Sequence, residues 1–222
     1  MSDFEANGFA LLPDLLDRAE CAQLSARASA VAGAMAGNRC LLQEDWCAAL
    51  AQRLRTSAAL APLLPPDALA VQCTYFEKSA EHNWLVPIHQ DLSIPVAERV
   101  DTPGWRGWSI KDGVQFVQPP AALLDQLVAV RLHLDDCGAG DGPLRLVAGS
   151  HRQGTIAADH AIGLRDAQGE VVCAADAGTV LVMRPLLLHA SSKSNGSSRR
   201  RVLHFVFGPR HLPQGLAWNA AV

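Results

Sequence analysis

Residues 128–134, Val-Ala-Val-Arg-Leu-His-Leu, run directly into Asp135-Asp136-Cys137-Gly138-Ala139-Gly140-Asp141-Gly142-Pro143, and then into Leu144-Arg145-Leu146-Val147-Ala148. The outer pieces are short apolar runs of strand length, and the piece between them is turn chemistry. The same texture recurs at residues 70–78, 179–183 and 202–207, with turn signals at Gln168-Gly169 and Ala177-Gly178. Many short strands punctuated by glycine predict a sandwich, barrel or jelly roll.

The chain upstream reads differently. From Asp14 to about Met35 it is rich in Ala and Leu at helical spacing, and Gly37-Asn38 breaks the pattern. Glu44 to about Arg55 repeats it with Trp46, Leu50 and Leu54, until Pro65-Pro66 stops it. Residues 99–120 are rich in Trp, Gly and Pro, and read either as a lid-like loop or as a packed surface excursion. The expected organisation is one domain over residues 1–222. It has a helical part at about 14–66 and a β core at about 70–208, mainly β with flanking α.

Composition narrows the function. Hydrophobic residues make up 49% of the 222, enough for a sizeable core, and charged residues only 18%, which excludes a disordered chain. A net charge of −3 gives no bulk attraction to nucleic acid or membrane. The start, Met-Ser-Asp-Phe-Glu, lacks the basic and apolar regions of a signal peptide, and no apolar run is long enough to span a bilayer. We therefore read the protein as cytoplasmic. Cys21, Cys40, Cys47, Cys73, Cys137 and Cys173 form no Cys-x-x-Cys pair, so we expect buried free thiols rather than a zinc cluster or disulfide framework.

His89-Gln90-Asp91 is the central chemical signal. On an extended segment the side chains at i and i+2 point to the same side, so an imidazole and a carboxylate can share one divalent metal. His189, 100 residues on (189 − 89), supplies the best third ligand. Two His and one carboxylate leave coordination positions open, as in non-haem Fe(II) oxygenases, whereas a structural zinc site is closed by four ligands. His-x-Asp alone, or His189 alone, is a weak signal. Arg199-Arg200-Arg201 strengthens it, because an arginine fork at the head of an apolar strand suits a carboxylate in a dry pocket. Only one of the three can point inward.

With these residues in view the sequence resembles the phytanoyl-CoA dioxygenase family of Fe(II)/2-oxoglutarate oxygenases. The segment from Phe4 to Leu12 is similar to that family's opening strand, His82 to Asp91 to its metal segment, and Gly142 to Arg152 to its Gly-Ser-His stretch. His189-Ala190-Ser191 followed by Arg200 (200 − 189 = 11) is similar to its distal histidine and 2-oxoglutarate arginine. The four segments occur in the family's order. Ala148 stands where proline is usual, and the usual Asn-x-Ser is displaced by one residue to Asn195-Gly196-Ser197, which leaves Arg201 as the rival to Arg200.

The resemblance implies a double-stranded β-helix (a cupin-like jelly roll) with N-terminal helices. It implies Fe(II) on His89, Asp91 and His189, dioxygen, and 2-oxoglutarate held by Arg200, Ser191 and Gln72. Lys78, Trp84, Trp108 and His133 are candidates for the pocket of a small-molecule substrate, and Trp105 for its wall. Ordinary packing is the alternative for the tryptophans, and a hydrogen-bonded core histidine for His133. His151 is read as structural. In halogenating relatives a small residue replaces the carboxylate, so Asp91 implies hydroxylation or a related oxidation, with release of succinate and CO2. The competing readings are a cupin-like metalloenzyme that ignores 2-oxoglutarate, and a non-catalytic jelly-roll module that binds a small ligand.

Overall fold

Helix formation at the N-terminus follows local capping and one buried stripe. The computed structural model describes residues 3–33, 35, 37–195 and 199–222. A short helix, α1 (Asp3–Asn7), precedes strand β1 (Phe9–Leu12), so only the second half of the expected opening strand is extended. Gly8, at φ 81°, makes the break. Helix α2 (Arg18–Ala32) starts at Asp17, whose carboxylate accepts from the Glu20 amide at 2.8 Å, and ends at Gly33. Helix α3 (Asp45–Thr56) buries Cys47, Leu50, Ala51 and Leu54, spaced i, i+3, i+4, i+7.

The strands follow as β2 (Gly37–Asn38), β3 (Leu69–Lys78), β4 (Val86–His89), β5 (Ile94–Val96), β6 (Arg106–Lys111), β7 (Val114–Gln118), β8 (Val128–His133), β9 (Leu144–Leu146), β10 (Val171–Cys173), β11 (Val180–Met183), β12 (His189–Ser191) and β13 (Arg200–Gly208). Two further helices, α4 (Ala121–Leu124) and α5 (Ala158–Gln168), lie between strands. The strands form a six-stranded sheet ordered β1-β11-β8-β13-β3-β2, a four-stranded sheet ordered β10-β9-β12-β4, and a three-stranded sheet ordered β5-β7-β6. All the pairings between these strands are antiparallel. This is the expected jelly roll.

The 99–120 segment is a loop only at its ends. Residues 106–118 are the hairpin β6–β7, and Asp112-Gly113, both at positive φ, make its two-residue turn. Trp105 is buried, donates to Gln214 Oε1 at 2.6 Å, and belongs to a core cluster with Ile94, Leu124 and Trp218. Trp108 packs against the same cluster with Arg99 over its ring, and neither tryptophan lines the site cavity.

Register decides what each face of the large sheet does. On β13, Leu203 pairs with Tyr75 and Leu132, and Phe205 with Cys73 and Val130. These residues join the main core, packed with Leu50, Leu54 and Ala28 of the helices. The alternate positions face the other way: Arg200 opposite Lys78, Val202 opposite Phe76 and His133, and His204 opposite Thr74 and Arg131. That second face looks toward the four-stranded sheet.

Phe205 is fully buried between helices and sheet. Phe205→Ala should lower unfolding free energy by about 3–5 kcal/mol in urea denaturation. A loss below about 1 kcal/mol would show that this face does not carry the fold.

Candidate active site

Strand β12 pairs with both β4 and β9, and its register sets His189 directly opposite His89. The 100-residue gap between the two histidines is closed by that pairing, and their rings lie 4.2 Å apart. His89 Nδ1 donates to the Pro87 carbonyl at 2.8 Å, and His189 Nδ1 to the Leu187 carbonyl at 2.9 Å. Each bond fixes the tautomer that leaves Nε2 bare. His89 Nε2 is 3.7 Å from Asp91 Oδ1, and His189 Nε2 is 3.7 Å from Asp91 Oδ2. Ligand atoms of the three residues lie within 4.8 Å of one another. Gln90 anchors the segment, donating to the carbonyls of Leu186 and Gly154 and accepting from the Ile156 amide.

This donor set fits an open-sided divalent ion. It offers two neutral imidazole nitrogens and one carboxylate, on the ligand pattern that suits Fe(II). Burial works against the Asp91 charge, but the imidazoles of His189, His89 and His204 outweigh it and hold the carboxyl well below its usual range. Burial also opposes a charge on His89, where Asp91 wins and the pKa is raised; at His189 burial wins and lowers it.

A cavity of about 420 Å³ opens on these ligands, within the usual size for small-molecule sites. The three consecutive arginines separate cleanly around it. Arg199 makes two hydrogen bonds to Glu77, at 2.7 and 3.0 Å, and Arg201 closes on Asp135 at 2.8 and 2.7 Å. Arg200 lies between them in sequence but on the other face, where it is buried and lines the cavity. It donates to the Gly142 carbonyl, and its Nε has no partner. Ser191 Oγ donates to the same carbonyl at 3.0 Å. Lys78 Nζ, opposite Arg200 in register, donates to Ser191 Oγ and to the Ser192 carbonyl, both at 2.6 Å. Gly142 sits at φ 65°, where a Cβ would meet the Ser192 carbonyl at 2.4 Å, which is why glycine opens this turn. Of the displaced Asn195-Gly196-Ser197 motif, Gly196 and Ser197 lie outside the described residues.

The other expected residues divide. Trp84 lines the cavity with Lys78 Nζ 5.6 Å from its ring, and Gln72 lines it at the far end of β3. His133 does not line it: the ring is buried, and Nδ1 donates to the Thr179 carbonyl at 3.2 Å. Among the lining residues that were not foreseen, two stand near the ligands. His204 brings Nε2 to 3.7 Å from Asp91 Oδ2, with burial lowering its pKa to about 4, and Arg131 stands beside it on β8.

The model of the phytanoyl-CoA dioxygenase (PhyH) family matches residues 4–202. The chain belongs to that family. Members are 2-oxoglutarate-dependent non-haem iron oxygenases, so the class of the protein is oxidoreductase, with Fe(II), 2-oxoglutarate and dioxygen as its requirements. No curated protein matches the chain by sequence.

Solved structures share the fold. EctD from S. alaskensis, in its apo form, matches at TM-score 0.70 and 17% identity over 93% of this chain and 75% of that one. SnoN, a non-haem α-ketoglutarate-dependent epimerase from nogalamycin biosynthesis, matches at 0.67 and 17% over 98% and 83%. HygX from Streptomyces hygroscopicus, with nickel and 2-oxoglutarate bound, matches at 0.62 and 18% over 93% and 84%. Among the described residues, no helix is long and apolar enough to cross a membrane.

Burial, then the charges of Arg200 and Arg131, lower the pKa of Lys78 to about 8. The native protein therefore sheds this proton before the unfolded chain does. From about pH 8 to about pH 10.4 the unfolded state binds more protons, and Lys78 makes stability rise with pH. Urea midpoints across that window should climb more steeply in the parent than in Lys78→Met; equal slopes would contradict the assignment.

Proposed function

We propose that this protein hydroxylates an unactivated carbon of a small-molecule substrate, with iron on His89, Asp91 and His189 and 2-oxoglutarate held by Arg200, Ser191 and Lys78. The observation that carries the reading is the convergence of three ligand side chains and one buried, half-satisfied arginine on a single cavity. Bound iron would supply dioxygen activation coupled to decarboxylation of 2-oxoglutarate, one oxygen atom going to succinate and the other to the substrate hydroxyl, with release of CO2.

The chain's own residues do the positioning. Pro87 and Leu187 hold the two imidazoles in their ligating tautomer. Arg200, Ser191 and Lys78 form a cradle of donors that matches the distal carboxylate of 2-oxoglutarate, with the metal at the other end. In this reading Lys78 serves the co-substrate rather than the substrate. Gln72, six residues and about 20 Å along the strand from Lys78, serves the metal end of the cavity or the substrate. His204, with Nε2 3.7 Å from Asp91 Oδ2, helps to position that carboxylate. A cytoplasmic location completes the proposal.

Succinate release tests it. Asp91→Ala should lose iron and all substrate-dependent succinate formation. Arg200→Ala should raise the half-saturating 2-oxoglutarate concentration about thirtyfold or more, equivalent to about 2 kcal/mol. Arg201→Ala should leave that concentration within about threefold, because its partner Asp135 lies outside the cavity. Full activity in Asp91→Ala, or the large effect at Arg201 instead of Arg200, would overturn the assignment.

A further inference from the structure

Arg131 is a buried cation in the cavity wall that the oxygenase reading leaves unused. It stands in the middle of β8, only 6% exposed, and lines the cavity. Its Nε is buried without a hydrogen-bond partner, and among the described residues no carboxylate pairs with its guanidinium. Its one close neighbour of note is the Phe76 ring, 5.7 Å away. Arg199, Arg201 and Arg39 are each closed on an acid, at 2.7, 2.7 and 2.9 Å. Burying a charge without a counter-charge is costly, so the fold carries a cation whose partner must come from outside the chain.

The charge of the whole cavity points the same way. Among the described residues, Lys78, Lys111, Arg131 and Arg200 line it with no ion pair to offset them, and Asp91 is the one acidic lining residue. Iron, Asp91 and doubly negative 2-oxoglutarate together contribute one net negative charge, which leaves the cavity strongly positive. Lys78 and Arg200 already supply the co-substrate's distal end, and the Arg131 side chain, within range of the Arg200 charge, leaves the sheet from nearer the metal ligands. Arg131 pairs across the sheet with His204, four residues and about 14 Å along β13 from Arg200. That is the metal end, where His204 approaches Asp91. Burial and the Arg200 charge lower the Arg131 pKa to about 9, which still leaves it charged at neutral pH.

We infer that the substrate is a small organic carboxylate, and that Arg131 anchors its carboxylate so that a nearby carbon faces the metal ligands. The inference rests on the oxygenase reading above. A guanidinium fork offers two parallel N–H donors that match a planar carboxylate, and Phe76 beneath it restricts the plane in which that carboxylate can lie. A cavity of about 420 Å³ shared with 2-oxoglutarate fits a compact acid. Arg131 is thus a specificity-determining residue.

The test uses the Fe(II)·2-oxoglutarate enzyme without oxygen, titrated with butanoate, hexanoate, benzoate, phenylacetate and pyrrolidine-2-carboxylate, each beside its primary amide. Binding is read as a perturbation of the visible absorption of the iron–2-oxoglutarate complex. At least one acid should bind about thirtyfold or more tightly than its amide. Arg131→Gln should abolish that preference, hold the 2-oxoglutarate half-saturation within about threefold, and melt no lower than the parent, since an unpaired buried charge has been removed. Arg131→Lys, which keeps the charge and loses the fork, is the reserve should the glutamine variant not fold: it should retain 2-oxoglutarate and weaken the acid about tenfold.

The inference is overturned if no acid outbinds its amide, or if Arg131→Gln weakens 2-oxoglutarate itself about tenfold or melts several degrees lower. No visible absorption in the parent with iron and 2-oxoglutarate would sink the oxygenase reading and this inference with it. Absorption present with acids and amides bound alike would sink this inference alone.

Discussion

The antiparallel pairing of β12 with β4 is the constraint on which the rest of the site depends. It sets His189 against His89 across a gap of 100 residues, and it holds both rings close to Asp91. The two backbone carbonyls that fix the imidazole tautomers come from Pro87 within β4 and from Leu187, two residues ahead of β12. A one-residue slip of either strand would turn a histidine to the opposite face and leave two ligands where three are needed.

The same alternation rule divides labour on the opposing sheet. Leu203, Phe205 and Phe207 of β13 feed the helix-packed core, and Arg200, His204 and Val206 line the cavity. This explains how three consecutive arginines take three environments. Arg199 and Arg201 close on Glu77 and Asp135, while Arg200 is turned inward to share the Gly142 carbonyl with Ser191. The left-handed backbone of Gly142 lets that turn approach Ser192 closely enough to build the cradle.

Much of this was legible in the sequence because it depends on short spacings. His89 and Asp91 at i and i+2 require only an extended backbone, and the strands between glycine-rich turns needed only composition and length. Helix α2 begins four residues later than its apolar spacing suggests, where the Asp17 carboxylate caps it, and α3 begins one residue later, at Asp45. What was missed depends on long-range register. His204 and Arg131 each sit inside an apolar run, and nothing local says which face a given position takes until β13 is paired with β3 and β8. His133, two residues from Arg131, was a comparable candidate, yet its ring is turned to Thr179. The β6–β7 hairpin carried a local signal in Asp112-Gly113, masked by flanking Trp, Gly and Pro residues that read as a loop. Trp105 and Trp108 went with it into the core.

The central claim is that iron on His89, Asp91 and His189 is chelated by 2-oxoglutarate anchored at Arg200. The most direct measurement adds Fe(II) and then 2-oxoglutarate to the metal-free protein under strict anaerobic conditions and records the visible spectrum. The account predicts a weak, broad charge-transfer band that appears only when both are present and is lost in Asp91→Ala. Iron binding without the band would contradict it and favour a cupin-like metalloenzyme; no iron binding at all would mean that the three ligands do not assemble a metal site.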